Sequence, residues 1–509
     1  MRLVRTAGWW ALGTFLIALA LLPVARVPIL GDDLHAYFET YALAHGSAWR
    51  ALTFGWGQGM KAGHFNPVGQ AIGALYHFGA FAFSSSTGMS PQRYHVAGGA
   101  VLLWLTVLAA AAVLVWGVRH AAASRVVERL TLPRAFALVA GVVAVSLELH
   151  PWTNDPVSTF AMAGWGSAAI GFLVLGLALR ATVPGRAGWV DVLLVAVVGS
   201  IAVLYYEELT GMVAGAAAVY LLVGVRARRR GDRTGVRRVV VLALAGVVLP
   251  AVVFVLGRYL AIPSDVSNYT GTAVAFGPRG LATWWAAMVG ALPGGGLPFL
   301  LSNAGGAALT LTSLALGLAM VVGLGVLAVA WRSATPLPEP AGWSWLPLVV
   351  GICVGWALTT ATQAFTPKYI EEIQIPGQVY LYYSVGVVSA ALLISWVVVA
   401  HARGLARLAP ALLIVVGAFA MVQVPLNWQL GGISASAYTV NHQLSRVASD
   451  DNVPSAARCA AVLAFAERPW PDYYRKAVVT NAITDFQLAF GTPLCPDPEV
   501  DAKVDALVK

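Results

Sequence analysis

The chain of 509 residues is 59% hydrophobic and only 11% charged, with a mean hydropathy of +0.74 and a formal charge of +9. A soluble domain carries about 25% charged residues, so the composition excludes a water-covered globule. Apolar runs of about 20 residues recur, as a bilayer core requires, and predict an all-α polytopic membrane protein. The positive charge needs no nucleic-acid partner, because the basic residues fall in the short gaps where the positive-inside rule puts them. Arg outnumbers Lys 27 to 5 beside abundant Ala, Gly and Val, a bias expected of a GC-rich genome of the actinobacterial kind.

Arg2 and Arg5 precede an apolar run from Gly8 to Ile29 with no convincing small-residue cleavage site. That run reads as a retained anchor rather than a signal peptide, with a cytoplasmic N-terminus. It delivers an extracytoplasmic first loop, residues 30–95, that opens on Asp32 and Asp33. Within the loop, Asp33 to Ala44 reads as a short helix ending near Gly46, and Ser47 suits the cap of another. Pro67 to Phe83 is apolar but short and rich in Gly and Ala, so a re-entrant or interfacial segment is expected.

Spans follow at Val96 to Val118, Ala135 to Leu149 and Val157 to Leu179. Trp189 to Tyr205 and Leu209 to Val225 are expected to form a tight hairpin with Glu207 and Glu208 at its outer tip. The linker from Arg226 to Arg238 has seven arginines against one aspartate and must be cytoplasmic. Val239 to Leu256, Ala307 to Trp331, Trp343 to Ala364, Tyr380 to Ala400 and Leu408 to Trp428 bring the expected count to about eleven transmembrane helices in residues 1–430. On this topology inner segments hold 18 Lys or Arg, outer segments seven and the tail seven.

Residues 431–509 are polar and are expected to form a small extracytoplasmic C-terminal domain. Cys459 and Cys495 both lie there and should pair on an oxidising face. Closing that loop of about 37 residues would contribute roughly 3–4 kcal/mol on the chain-entropy model.

Asp32 and Asp33 admit two readings. Gly-Asp-Asp before LHAYFETYALA suits helix capping. Two adjacent carboxylates also repel, which raises one pKa and suits a general base; which of the two would serve is open. At helical spacing Asp32 reaches His35 and Glu39, and Asp33 reaches Tyr37. His64, in AGHFNP, is either a donor to a phosphate or sugar oxygen or a loop histidine satisfied by backbone. Asp155, in HPWTNDP, and Glu207 and Glu208 are candidate site-lining acids on the same outer face. The outer cations are Arg93, Arg258, Arg279 and Lys368. Lys368 is followed by Tyr369, Tyr380, Tyr382 and Tyr383, which suit stacking on a sugar or an interfacial belt. No HExxH or CxxC occurs, so no metal or other cofactor is expected, although a carboxylate-bound Mg or Mn ion is compatible with the acids.

The inward N-terminus, the acidic pair in GDDLHAYF (Gly31 to Phe38) opening a large outer loop, and GHFNPVGQ (Gly63 to Gln70) before the next span resemble the GT-C superfamily of polytopic glycosyltransferases. The resemblance implies an inverting hexosyl- or pentosyltransferase of the plasma membrane. Its donor would be a polyprenyl-phosphate sugar, and its acceptor a cell-envelope glycan, lipid or protein on the extracytoplasmic face. Asp32 or Asp33 would be the base, and Lys368, His64, Arg279 and Tyr369 would meet the donor phosphate, with His35, Tyr37, Asp155, Glu207 and Glu208 lining the site. The arginine often found shortly after the acidic pair is absent; His35 and Tyr37 occupy that region. Alternatives are a transporter or flippase of lipid-linked sugars, a ligase or polymerase of envelope glycans, and a non-catalytic assembly protein. Mid-span charges and repeated halves, common in transporters, are scarce here.

Overall fold

The computed structural model describes residues 2–508 except 62, 122–129, 150–156, 158, 184–187, 263–272, 305–309, 334–341, 379–382 and 401. Helix is the only regular structure among them, as expected where lipid offers the backbone no hydrogen-bonding partner. Helix α1 (Arg2–Leu21) ends in a 3-10 turn at Val24–Arg26, and an extended stretch leads to α2 (Gly31–Leu43). Gly31 has φ +45°, a left-handed conformation that glycine adopts at little cost. Helix α2 stops at His45 and Gly46, both left-handed, and α3 (Ala48–Lys61) follows Ser47, whose Oγ accepts the Arg50 N–H at 3.4 Å. Helix α4 (Pro67–Thr87) starts on a proline, whose missing N–H is no loss in a first turn.

The next helices are α5 (Pro91–Ala121), α6 (Leu132–Ser146), α7 (Ser167–Ala181), α8 (Trp189–Tyr205) and α9 (Thr210–Arg229). A π-helical turn at Met162–Gly166 leads into α7, and another at Leu244–Val248 joins α10 (Arg233–Ala243) to α11 (Leu249–Ala261). The chain continues through α12 (Pro278–Gly290), α13 (Leu297–Asn303), α14 (Leu311–Ser333), α15 (Leu346–Ala364), α16 (Pro367–Glu372), α17 (Tyr383–Ala400) and α18 (Ala402–Ala437). Four tail helices close it: α19 (Thr439–Val447), α20 (Ser455–Ala466), α21 (Asp472–Phe490) and α22 (Pro498–Val508).

Among the described residues, eight helices are long and apolar enough to cross a membrane, and α4 is not one of them. Shorter apolar helices at Thr6–Leu21, Leu132–Ser146 and Trp189–Tyr205 belong to the same hydrophobic core. Within it α1 lies on α6, α5 on α7, α9 on α15 and α14 on α18. The α9–α15 seam is tight because glycines four apart face each other. A Cβ on Gly211 would strike the Thr359 backbone, and one on Gly215 would lie 2.6 Å from the Gly351 carbonyl oxygen and 3.1 Å from the Gly355 Cα. Small residues at such spacing let membrane helices approach closely.

This seam overturns the expected hairpin. Helix α9 takes α15 and α10 as its main neighbours, while α8 lies on α7, on α11 and on the π turn before α11. The glycine face of α9 points to α15, so Glu207 and Glu208 sit at a divergence of helices instead of a hairpin tip.

The tail also differs from expectation. Helix α18 runs through residues 430 and 431 to Ala437 without a break. The tail's apolar residues share a second core with the first loop: Leu444, Phe465, Val478 and Phe486 cluster with Leu34, Phe38 and Phe81. Cys459 and Cys495 are disulfide-bonded and tie α20 to the segment before α22. Tyr474 donates its hydroxyl to the Gly31 carbonyl at 3.1 Å, and the Asn441 amide donates to the Ile29 carbonyl at 3.1 Å. The tail therefore grips the point where α2 begins.

Replacing Gly211 with Leu should overpack the α9–α15 seam and destabilise the protein by about 1–3 kcal/mol. Thermal unfolding in detergent should show the loss, while Gly57→Leu, at a site where a Cβ meets nothing within 4 Å, should leave the midpoint nearly unchanged.

Candidate functional site

The two aspartates that open α2 have different surroundings. Asp32 is exposed, and Asp33 is only 5% exposed. Both line a cavity of about 200 Å³ walled by α2, α3, α4, the Phe160–Ala163 segment and Tyr205–Tyr206. Neither carboxylate caps the helix, since the residue before it, Leu30, holds the cap position without a side-chain bond. Asp33 Oδ2 instead accepts the backbone N–H of Phe160 at 2.9 Å.

Phe160 has φ +54°, which a bulky residue adopts only where its surroundings enforce it. The enforcement comes from the π turn that follows. A π turn departs from the regular helical ladder, and here three hydroxyls support its carbonyls. Tyr205 donates to Met162 at 2.7 Å, Ser384 to Gly164 at 2.8 Å and Thr106 to Trp165 at 2.8 Å. Helices α8, α17 and α5 thus fix the turn that presents the Phe160 N–H to Asp33.

The second oxygen, Asp33 Oδ1, lies 3.7 Å from His77 Nε2. That exceeds a hydrogen bond but lies within ion-pair range. His77 projects from α4, and its Nδ1 is buried with no hydrogen-bond partner. Its ring lies 5.6 Å from that of His95, whose Nδ1 is 3.5 Å from the Tyr76 hydroxyl. Burial, with a smaller push from the Asp32 charge, drives Asp33 up to about 7, against the bond from Phe160. Burial takes His77 down to about 4. Near neutral pH the pair therefore combines a neutral imidazole with a carboxyl that exchanges its proton readily.

The other candidate residues divide by location. Glu39 lines the cavity and lies 4.0 Å from His35, whose ring abuts Tyr474 of the tail instead of the cavity. Tyr37 is fully buried among Phe38, Phe81 and His95, so it packs the second core. His64 lies 3.8 Å from Glu207, which also accepts the Phe65 N–H and pairs with Arg258 at 2.8 Å. This network adjoins the cavity through Asn66 and Tyr206, both lining residues. Glu208 is buried outside the lining.

Lys368 and Tyr369 sit on α16, with Tyr369 packed on Ala286 and Ala287 of α12, and Arg279 is exposed at the start of α12. None of the three lines the Asp33 cavity, because α12 and α16 pack on α15 and not on α2 or α4. Asp155, Tyr380 and Tyr382 lie outside the described residues. Among the described residues the lining holds three carboxylates and no Lys or Arg, and no group of three His, Cys, Asp or Glu is placed to hold a metal ion.

His77 and Gln70 are lining residues that sequence reading missed. A signal for them exists: Asn66, Gln70 and His77, with Gly69 and Gly73 between, fall at three- and four-residue steps and so share one face of α4. The Phe160 contact has no such signal, since a backbone N–H can come from any residue. Comparison of the chain with protein-family models, with curated proteins and with solved structures returns no match.

The raised Asp33 has a consequence for stability. Its carboxyl holds its proton in the folded state up to about pH 7, whereas in the unfolded chain it ionises near 3.8. The folded form therefore binds the extra proton between these values, and its contribution to stability, full below 3.8, is lost as pH rises through 7. Asp33→Asn, which cannot ionise, should unfold at a higher temperature than the wild type at pH 8 and at a similar temperature at pH 4.

Proposed function

We propose that the chain is a polytopic membrane glycosyltransferase that moves a sugar from a polyprenyl-phosphate donor to a hydroxyl of an envelope acceptor, with Asp33 as general base. The observation that carries this reading is the burial of Asp33 at a cavity wall, with one oxygen held by a backbone N–H and the other facing a neutral histidine. A carboxylate whose pKa lies near the working pH is well matched to taking a proton from a hydroxyl. Asp33 would accept the acceptor's proton while its oxygen forms a bond to the anomeric carbon. The bond from that carbon to the phosphate oxygen breaks, and its electron pair leaves with the polyprenyl phosphate. His77 acts as a positioning residue for the carboxylate.

Phosphate departure needs a partner of positive charge. The reading assigns the charge to Arg258 and a further N–H donor to His64, both of which Glu207 holds beside Asn66 and Tyr206. The reading takes three of the four shorter apolar helices, Thr6–Leu21, Leu132–Ser146 and Trp189–Tyr205, as crossings beside the eight longer ones, eleven in all. With the N-terminus cytoplasmic, α2 and the tail then fall on the extracytoplasmic side of the plasma membrane, where a lipid-linked donor suits a site remote from nucleotide sugars. The arginine run at Arg226 to Arg238 supports this orientation.

Purified protein given a labelled polyprenyl-phosphate sugar and an envelope acceptor should release polyprenyl phosphate. Asp33→Asn should lower turnover by about 10²–10⁴-fold, the range for loss of a general base. Asp32→Asn should stay within a few-fold of wild type and shift the acid limb of the pH profile downward, since removing a neighbouring negative charge eases ionisation of Asp33. Full activity of Asp33→Asn, or flux of the lipid-linked sugar across a vesicle membrane with no covalent product, would contradict the assignment.

A further inference from the structure

A second cleft opens at the end of the bundle where α1 stops, separate from the Asp33 cavity. It has a volume of about 710 Å³ and is bounded by Arg26, Thr310, Trp428, Gly432, Ile433 and Arg468, among others. Four chain segments far apart in sequence meet there: the 3-10 turn after α1, Thr310 before α14, the C-terminal part of α18 and the turn between α20 and α21.

Arg26 is held in place. Its guanidinium stacks on the Trp428 ring, 4.4 Å from the centroid, and its Nη1 donates to the Trp428 carbonyl at 2.9 Å. Gly432 makes room for it, since a Cβ there would lie 2.9 Å from Arg26 Nη2. Arg468 is exposed and comes to the cleft from the tail. No acidic residue lines the cleft, and neither guanidinium forms an ion pair among the described residues. Both guanidinium groups therefore border one cleft that offers them no counter-charge, and an anion bound there would supply it. Arginine's planar fork matches phosphate oxygens in a bidentate way.

The surroundings identify the carrier of that phosphate. Thr310 directly precedes α14, and Leu311 is 88% exposed. Leu318 and Val322 are exposed too, and positions i, i+7 and i+11 fall on one helical face. An apolar stripe therefore descends from the cleft along α14, beside a tryptophan of the kind that favours the membrane interface.

We propose that this cleft binds the phosphate headgroup of a membrane lipid, clasped by Arg26 and Arg468, with the lipid's hydrocarbon chain lying along Leu311, Leu318 and Val322. The site is independent of the chemistry assigned to Asp33. Its function would be to anchor the tail, through Arg468, to the membrane surface.

The probe is fluorescent phosphatidic acid, titrated into the purified full-length protein in zwitterionic nanodiscs. Arg468→Gln should weaken binding about tenfold, a loss of about 1.4 kcal/mol, without changing the thermal midpoint, because that side chain is exposed. Arg26→Lys should also weaken binding, since it keeps the charge but loses the fork and the stacking. Inorganic phosphate should compete poorly, and a phosphatidylcholine probe should not saturate. Unchanged affinity in Arg468→Gln would overturn the proposal. So would displacement by inorganic phosphate as effective as by unlabelled phosphatidic acid, which would make the ligand a soluble ion, or equal binding of phosphatidylcholine, which would make the contact purely apolar.

Discussion

A carboxylate taken out of water at the edge of a membrane protein is costly, and the structure around Asp33 limits that cost in only one direction. The Phe160 N–H stabilises the ionised form, yet burial outweighs it and the carboxyl keeps its proton to about neutral pH. A full set of donors would have fixed Asp33 as a permanent anion. The arrangement found leaves one oxygen facing the cavity and a neutral histidine, which favours proton exchange over tight pairing. Asp32, one residue earlier and exposed, adds a modest push in the same direction.

Holding Asp33 in this state depends on two packed cores meeting at α2. From the membrane side, α5, α8 and α17 supply the hydroxyls that stabilise the π turn, and that turn sets the strained Phe160. From the other side, the tail donates to the carbonyls of Ile29 and Gly31 and buries Leu34 and Phe38. The disulfide braces the tail as it does so. Asp33 thus sits where the transmembrane helices and the tail grip the chain from opposite directions, so loosening either core would change the hydration of one carboxyl. This gives the tail a mechanical link to the cavity, although no tail residue forms part of its lining.

The sequence announces the class of fold because bilayer physics leaves few options: long apolar runs must be helices, and the arginine-rich gaps mark one side. It also points to the first loop, because two acids after an apolar run stand out in a chain so poor in charge. Short-range details such as the Gly46 stop and the Ser47 cap are local, and so could be read. What could not be read depends on pairing between distant segments. The α9–α15 seam redirects a hairpin because glycines on two separate helices happen to face each other. Tyr37, four residues from Asp33, enters a core formed with residues of α4 and the tail. Lys368 and Arg279 stand apart from the acids because α12 and α16 pack on α15, which no local pattern declares. The partner of Asp33 that matters most is a backbone N–H, which has no sequence signature at all.

The central claim is that one acid of the pair is protonated in the folded protein near neutral pH, and infrared spectroscopy can detect that proton directly. Titrating the protein while following the C=O stretch of protonated carboxyl groups should reveal a band that disappears with a midpoint near pH 7. Subtracting the spectrum of Asp33→Asn should show that Asp33 is its source, and Asp32→Asn should retain the band with a lower midpoint. Absence of any Asp33-dependent band above pH 5 would mean that the carboxyl is already ionised and solvated, and the picture of a buried, proton-exchanging acid would be wrong.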